Sequence, residues 1–560
     1  MSRLSIVLAV TEKADYLHDS VVAVVSACMD CDESAELIVV TPTTCAPKAT
    51  AAITHISDLQ VCTVDTNSLA ALNNAGRAAA SGSRILFLRE GILLSASELR
   101  ELLHALDQNA DIGGVGPFSN RTGFEWQYLN AERLAVDGLT PSTEMKHFCP
   151  ESMNSLFLEN FALLVQSDAF DRAGGFCEDF PAVGGEDIDL SFRLKCMGYR
   201  LLRVPVYLPH ADASVYCVCD MARSYARPIL LNKWGLDIGL PESLWQEALM
   251  AIDWRQDPAL IHATCRSVLL RAPLVSIFLM TYNRPEYFRA ALESALAQTY
   301  PNIEIIVGDF GTDDRTQQLV QGYLADRRIR YVRGAVSPRE EHNKIFNPLA
   351  EFFQWLMDDD ILLPDKLTLM VDAFLRHPNV TLVTSQRGVI DADGHYTGLW
   401  GIPIPLRGSY ELLSGADVGR AVLTKGVNFL GEPSIVLYKR MSAVQFPKTP
   451  EERGYDALGD IVAWLSFLEH GDCAIFTRPL GLFRRHANQE SKNAANYISA
   501  ILEWKRLMDE YRGGCFLTEE DYHMGLQMLK EQCLQFEPAS HRVEPNLRRA
   551  FEECYRTVME

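Results

Sequence analysis

The sequence predicts an α/β protein in which one large domain is built twice, each copy around a mostly parallel sheet. Two observations carry this. Apolar strand-like runs alternate with helical stretches, the order that a parallel sheet needs. The same landmarks also recur at matching distances. Leu4-Ser5-Ile6-Val7-Leu8 is answered by Val275-Ser276-Ile277-Phe278-Leu279, Leu37-Ile38-Val39-Val40 by Ile303-Glu304-Ile305-Ile306-Val307, and Arg84-Ile85-Leu86-Phe87-Leu88 by Phe353-Gln354-Trp355-Leu356. Thr41 to Gly91 is 50 positions and Asp309 to Asp360 is 51; Gly91 to Asp187 is 96 and Asp360 to Asp460 is 100; Asp187 to His210 is 23 and Asp460 to His486 is 26. A repeat of this size is a duplicated domain, not a solenoid.

The copies are expected at 1–240 and 274–491, with 241–273 as a helical or irregular connector. Residues 492–560, rich in Leu, Glu, Lys and Arg and interrupted at Gly513-Gly514, are expected as a helical C-terminal region. The 560 residues leave room for several large cores. A hydrophobic content of 48% with 22% charged residues excludes disordered and fibrous classes. The net charge of −21 argues against nucleic acid as a partner and gives no electrostatic reason to sit on anionic lipid. No apolar stretch reaches membrane-spanning length. Fourteen irregularly spaced cysteines read as reduced thiols, Cys28 and Cys31 included. The expected location is cytoplasmic, or peripheral to the inner face of the membrane.

The chemistry gathers in the second copy. Met357-Asp358-Asp359-Asp360 ends an apolar run and precedes Ile361-Leu362-Leu363-Pro364. Carboxylates at a strand end suit a hard cation, manganese or magnesium, on a diphosphate. Thr281-Tyr282-Asn283-Arg284-Pro285 follows the first strand and Asp309 ends the second. Ligands of open α/β sheets bind where such loops meet, at the carboxyl ends of strands. Backbone groups of Thr281 and Tyr282 would hold a base and ribose, and Asp309 would accept from a pyrimidine N–H. The plainer readings are a turn at 281–285 and a helix cap at Asp309.

These segments, with Asn428-Phe429-Leu430-Gly431-Glu432-Pro433-Ser434 and Phe483-Arg484-Arg485-His486-Ala487-Asn488-Gln489-Glu490-Ser491, resemble a GT-A glycosyltransferase domain of the family 2 type. The resemblance covers residues 274–491. It implies inverting transfer of a sugar from a nucleotide-diphosphate sugar to a glycan, lipid-linked or protein acceptor. It also implies that the acidic triplet is the metal-binding DxD motif. Met357 stands where the motif often has its first acid, which leaves Asp358 and Asp360 as the metal pair and Asp359 without an assignment. The pattern places the catalytic base at Asp460, which reads otherwise as a helix cap. His486 would complete the metal shell or contact the diphosphate, and reads otherwise as a core group. Thr281, Tyr282, Asn283, Arg284, Asp309, Asp358 and Arg485 are the donor-binding candidates, with Arg484 a further phosphate-binding candidate.

The first copy is similar to the same family but eroded. Val10-Thr11-Glu12 replaces the Thr281 loop, Thr41 stands for Asp309, and Leu88-Arg89-Glu90-Gly91 lacks an acid pair. Glu186, Asp187 and His210 keep the pattern of the acceptor side, and Gly116-Pro117-Phe118-Ser119-Asn120 reads as an ordinary turn. The expectation is a degenerate first copy and an active second one. The rivals are a bifunctional transferase and a binding scaffold without turnover.

Overall fold

The computed structural model describes residues 3–10, 14–31, 33–56, 59–119, 152–180, 184–210, 218–255, 258–334, 347, 349–404, 406, 409–441, 450, 452–486 and 494–559. Two compact units emerge, Met1–Arg271 and Ala272–Leu406 with Tyr410–Glu560. Thr11, Glu12, Asn120 and 487–491 lie outside the described residues.

The first unit runs β1 (Leu4–Ala9), α1 (Leu17–Cys31), β2 (Ala35–Pro42), α2 (Ala46–Ile53), β3 (Leu59–Val64), α3 (Leu69–Ala79), β4 (Arg84–Arg89), α4 (Ala96–Asp107) and β5 (Ile112–Phe118). It continues through β6 (Met153–Asn154), β7 (Ala162–Gln166), α5 (Ser167–Arg172), α6 (Glu186–Cys196), β8 (Arg200–Tyr207), α7 (Val218–Trp234), α8 (Glu242–Met250) and α9 (Pro258–Leu269). The sheet order is β3-β2-β1-β4-β7-β5-β8-β6, with β7 antiparallel to both neighbours. Both faces are covered. Leu4, Ile6 and Leu8 of β1 enter one core with α1 and α4, whereas Val7 and Ala9 enter the other with α3 and Phe170. This is the period-2 burial of a strand covered on both sides. In α1, Leu17, Val21, Val24 and Ala27 form the buried stripe, and burial pushes the Cys28 thiol up to about 11.

The stretch expected as a connector is instead part of this unit up to Arg271. Trp245 of α8 is buried and stacks on Phe157 at 5.7 Å, and Trp254 meets Phe192 edge-on at 4.8 Å. Aromatic burial of this kind ties a segment to one core.

The second unit runs β9 (Val275–Thr281), α10 (Pro285–Leu296), β10 (Ile303–Asp309), α11 (Arg315–Gln321), β11 (Ile329–Arg333), β12 (Phe352–Met357), β13 (Ile361–Leu362), α12 (Lys366–Arg376) and β14 (Val380–Ile390). Then come β15 (Tyr396–Trp400), β16 (Tyr410–Leu413), α13 (Gly415–Lys425), β17 (Leu437–Lys439), α14 (Gly459–Leu468), β18 (Asp472–Arg484), α15 (Ala494–Tyr511), α16 (Glu519–Ser540) and α17 (Pro545–Met559). Its main sheet, β11-β10-β9-β12-β17-β14-β18-β13, repeats the first unit's order over seven strands, with β17 as the antiparallel insert; the edge strand differs, since β6 follows β5 in the chain whereas β13 precedes β14. The units even share a detail. Ser5 donates to Glu36 and Ser276 donates to Glu304, each pair at facing positions of the first two strands. The last three helices share this unit's core: Ile498, Ile501, Trp504 and Leu507 cluster with Val418, Val422, Ile461 and Leu465.

Candidate active site

In the second unit, β9, β10 and β12 end side by side, and their loops meet at the carboxyl edge of the sheet. Strand β12 stops at Met357, and the Asp360 N–H donates to the Met357 carbonyl (3.2 Å), so the triplet lies in a turn. Its three carboxylates take different main partners, and Asp358 and Asp359 share Arg284.

Asp358 folds back onto the first loop. It accepts from Thr281 Oγ1 (3.1 Å), the Tyr282 N–H (3.2 Å) and Arg284 Nη1 (3.2 Å). Burial raises its affinity for a proton, opposed by the Tyr282 N–H and the Arg284 charge. Asp360 turns inward, where Oδ1 accepts from the Arg484 N–H (3.1 Å). Burial and the neighbouring Asp359 charge hold it well above the usual carboxylate range, against hydrogen bonds from Ser434 and the Arg484 N–H. Asp359 faces His486, with Oδ2 2.9 Å from Nε2, and accepts from Arg284 Nη1 at 3.3 Å.

The expected metal pair is Asp358 and Asp360, whereas the carboxylate that lies against His486 is that of Asp359. An alternating choice of acids presumes a continuing strand, and the strand has already ended. An acidic oxygen beside an imidazole nitrogen is a donor set that manganese or magnesium accepts, so the residues present fit the ion. Elsewhere, Asp391, Asp393 and His395 bring ligand atoms within 4.8 Å of one another in the turn between β14 and β15. There Asp391 Oδ1 accepts from the N–H groups of Asp393 and His395.

The other donor-side candidates divide. Tyr282 is 58% exposed at the loop tip. Asn283 takes a left-handed backbone (φ 55°), which Asn tolerates, and its amide exchanges hydrogen bonds with Thr312 (3.0 and 2.8 Å). Asp309 is fully buried and accepts from the Gly311 N–H (2.8 Å) and the Tyr331 hydroxyl (2.6 Å). It is therefore a loop-organising acid here, with no oxygen at the surface. Arg484 is also used internally, donating to the carbonyls of Asp359, Asp391 and Ala392. Arg485 is exposed, with its guanidinium 4.8 Å from the Trp400 ring centre.

Asp460 is the second residue of α14 and does not occupy the cap position, which is Leu458. Its Oδ1 accepts from the Ile461 N–H (2.8 Å) and its Oδ2 from Asn428 Nδ2 (2.7 Å). Burial pushes its carboxyl up to about 7, the Ile461 N–H opposes this, and the nearby Glu432 charge adds to it. A carboxyl poised near neutrality is fit to take a proton. Asn428, Glu432 and Arg387 carry no individual signal in the sequence: the first two lie within the family-like 428–434 segment, and Arg387 sits in a strand without any local signal.

In the first unit the corresponding edge is closed. The sheet register pairs Ala9 with Arg89 and Met280 with Met357, so Gly91 takes the place of Asp359, one position off the alignment that spacing suggested. His210 Nε2 lies 3.1 Å from the Glu90 carbonyl, and a Cβ on Gly91 would meet the His210 ring at 2.3 Å. Asp187 spends both oxygens on N–H groups of Asn160, Gly185 and Ile188 (2.9–3.1 Å). Beside it, burial and the Asp187 charge push Glu186 up to about 8.

Residues 276–444 match the family model described as Glycosyl transferase family 2. The second unit carries a family 2 glycosyltransferase domain. Chondroitin synthase of Escherichia coli is 29% identical over 232 residues, 40% of this chain and 31% of that protein. An uncharacterized glycosyltransferase of Rickettsia typhi is 35% identical over 112 residues, 20% of this chain and 35% of that protein. The chain thus spans about a third of the length of these curated relatives. Among solved structures, S. aureus TarS 1–349 in complex with UDP-GlcNAc covers 51% of this chain and 90% of its own, at 14% identity and a TM-score of 0.33. Among the described residues, no helix is long and apolar enough to cross a membrane.

Proposed function

We propose that the family 2 domain is an inverting, divalent-cation-dependent glycosyltransferase that moves a sugar from a nucleotide-diphosphate sugar to an acceptor hydroxyl. The observation that carries this is the meeting of three elements at one edge: the Thr281–Arg284 loop bound to Asp358, and Asp359 facing His486. The relatives' names, a chondroitin synthase and a hyaluronan synthase of Pasteurella multocida, favour a glycan among the acceptor classes.

Tyr282 and Asn283 would receive the base and ribose at the exposed loop tip, while Asp359 and His486 would hold manganese or magnesium on the diphosphate. When bound, the ion neutralises charge that develops on the departing diphosphate. Arg284 holds Asp358 and Asp359 in register. Asp460 accepts the proton of the acceptor hydroxyl as that oxygen attacks the anomeric carbon from the side opposite the diphosphate. In the first unit, Gly91 brings no side chain to the place of Asp359, which favours one active copy over two.

The test is manganese-dependent hydrolysis across a panel of nucleotide-diphosphate sugars by the whole chain, with water as acceptor. Turnover is expected to rise with pH through about 7, since the base works only without its proton. Asp460→Asn should keep donor binding and lose roughly 10²-fold or more in rate. Wild-type turnover in that folded variant would remove Asp460 from the mechanism, and no metal-dependent binding of any donor would remove the transferase reading.

A further inference from the structure

Among the described residues, Asp460 is held from outside its own helix by one directed side chain, and that side chain belongs to a chain of bonds reaching two other elements. Asn428 Nδ2 donates to Asp460 Oδ2 at 2.7 Å and to the Gly431 carbonyl at 3.2 Å, while its Oδ1 accepts from the Gly431 N–H at 2.9 Å. Both N–H groups of the amide and one lone pair of its oxygen are thus occupied. Gly431 adopts φ 108°, open to glycine and strained for other residues, which allows this closed turn. The turn is fastened on two sides. Trp464, one helical turn beyond Asp460 on α14, donates its indole N–H to the Gly431 carbonyl (3.1 Å). Arg387 of β14, 2% exposed, donates to the Asn428 carbonyl (3.0 Å) and pairs with Glu432 (2.6 Å). Its guanidinium also lies 4.4 Å from the Trp400 ring centre.

We propose that Asn428 is the residue that positions the general base Asp460, and that buried Arg387, paired with the partly exposed Glu432, holds Asn428 in place and sets with it the charge around that base. The inference rests on the reading of Asp460 as the base. An amide N–H on a carboxylate favours its charged form, a nearby carboxylate disfavours it and a guanidinium favours it. The charged groups facing Asp460 are Glu432, from the loop, and Arg387, from β14. The inference therefore makes two predictions of opposite sign. Losing the Asn428 amide moves the proton affinity of Asp460 up. Losing the Glu432 charge moves it down and leaves Arg387 uncompensated, which acts in the same direction.

The experiment is the pH profile of manganese-dependent donor hydrolysis by the full chain for wild type, D460N, N428A and E432Q, with donor KM measured separately. N428A should lower kcat about 10- to 100-fold at unchanged donor KM, the usual cost of a misplaced reacting group, and move the acid limb to higher pH. E432Q should move that limb to lower pH. An acid limb that stays at its wild-type position in folded N428A, or one that moves up in E432Q, overturns the inference. Should N428A fail to fold, the E432Q limb decides alone. The underlying reading fails separately and visibly: D460N would then retain wild-type turnover whatever the other two variants do.

Discussion

At the scale of single residues, the three neighbouring acids of one turn do different work. Asp359 meets His486, whereas Asp360 accepts the Arg484 N–H from inside the sheet. Replacing Asp359 or His486 by Ala should abolish the manganese-dependent thermal shift produced by a nucleoside diphosphate while leaving the unliganded unfolding midpoint nearly unchanged. Asp360→Ala should instead lower stability by about 1–3 kcal/mol, the cost of leaving a buried donor unsatisfied. Urea unfolding and metal titration on the same variants separate the two outcomes. Equal metal dependence in Asp359→Ala and wild type would return the ion to another acid. The triplet itself was legible in the sequence because carboxylates at the end of an apolar run have few structural uses. Which acid meets His486 was not legible. That depends on where β12 ends and on a strand, β18, that returns more than a hundred residues later.

At the scale of elements, periodicity made the strands of both copies readable, since alternate residues of β1 fill opposite cores. The C-terminal region showed its helices in the same way, but nothing local told where their apolar faces go. The structure puts them into the second unit: Trp504 of α15 is 5% exposed, and Ile498, Leu507 and Met508 are buried in the core that also holds α13 and α14. The expected boundary at residue 491 therefore cuts a shared core. Trp504→Ala should cost about 3–5 kcal/mol, the range for deleting a large buried aromatic. Because α14 carries Asp460, the loss should also weaken donor hydrolysis at temperatures well below the new midpoint. Unfolding monitored by circular dichroism together with the hydrolysis rate tests this; a small loss of stability would mean that the helices are an appendage after all.

At the scale of the whole molecule, duplication explains why so much of the fold could be read and why half of the chemistry could not. The two units keep one order over seven strands and even the Ser5–Glu36 and Ser276–Glu304 pairs, so the pattern of one predicts most of the other. Function is not conserved by that logic, because it rests on a few side chains at the strand ends. Asp187 occupies the same helical position as Asp460, yet its two oxygens are committed to the N–H groups of Asn160, Gly185 and Ile188, which makes it a clasp between the start of α6 and the residues before β7. Gly91 replaces Asp359 and has φ 88°, with His210 filling the space where a side chain would stand. Asp187→Asn in the full chain should leave the transfer rate within about twofold of wild type while lowering stability by about 1–3 kcal/mol, since an amide keeps one accepting oxygen for three N–H donors and turns an NH2 toward the others. A fragment of residues 1–271, which ends where the first unit ends, should show no manganese-dependent shift with any nucleotide-diphosphate sugar. Metal-dependent donor binding by that fragment, or the loss of one of two transferred sugars in Asp187→Asn, would make both units transferases. A stable Asp187→Asn variant with normal transfer would show that the clasp is dispensable and that the acid survives for another reason.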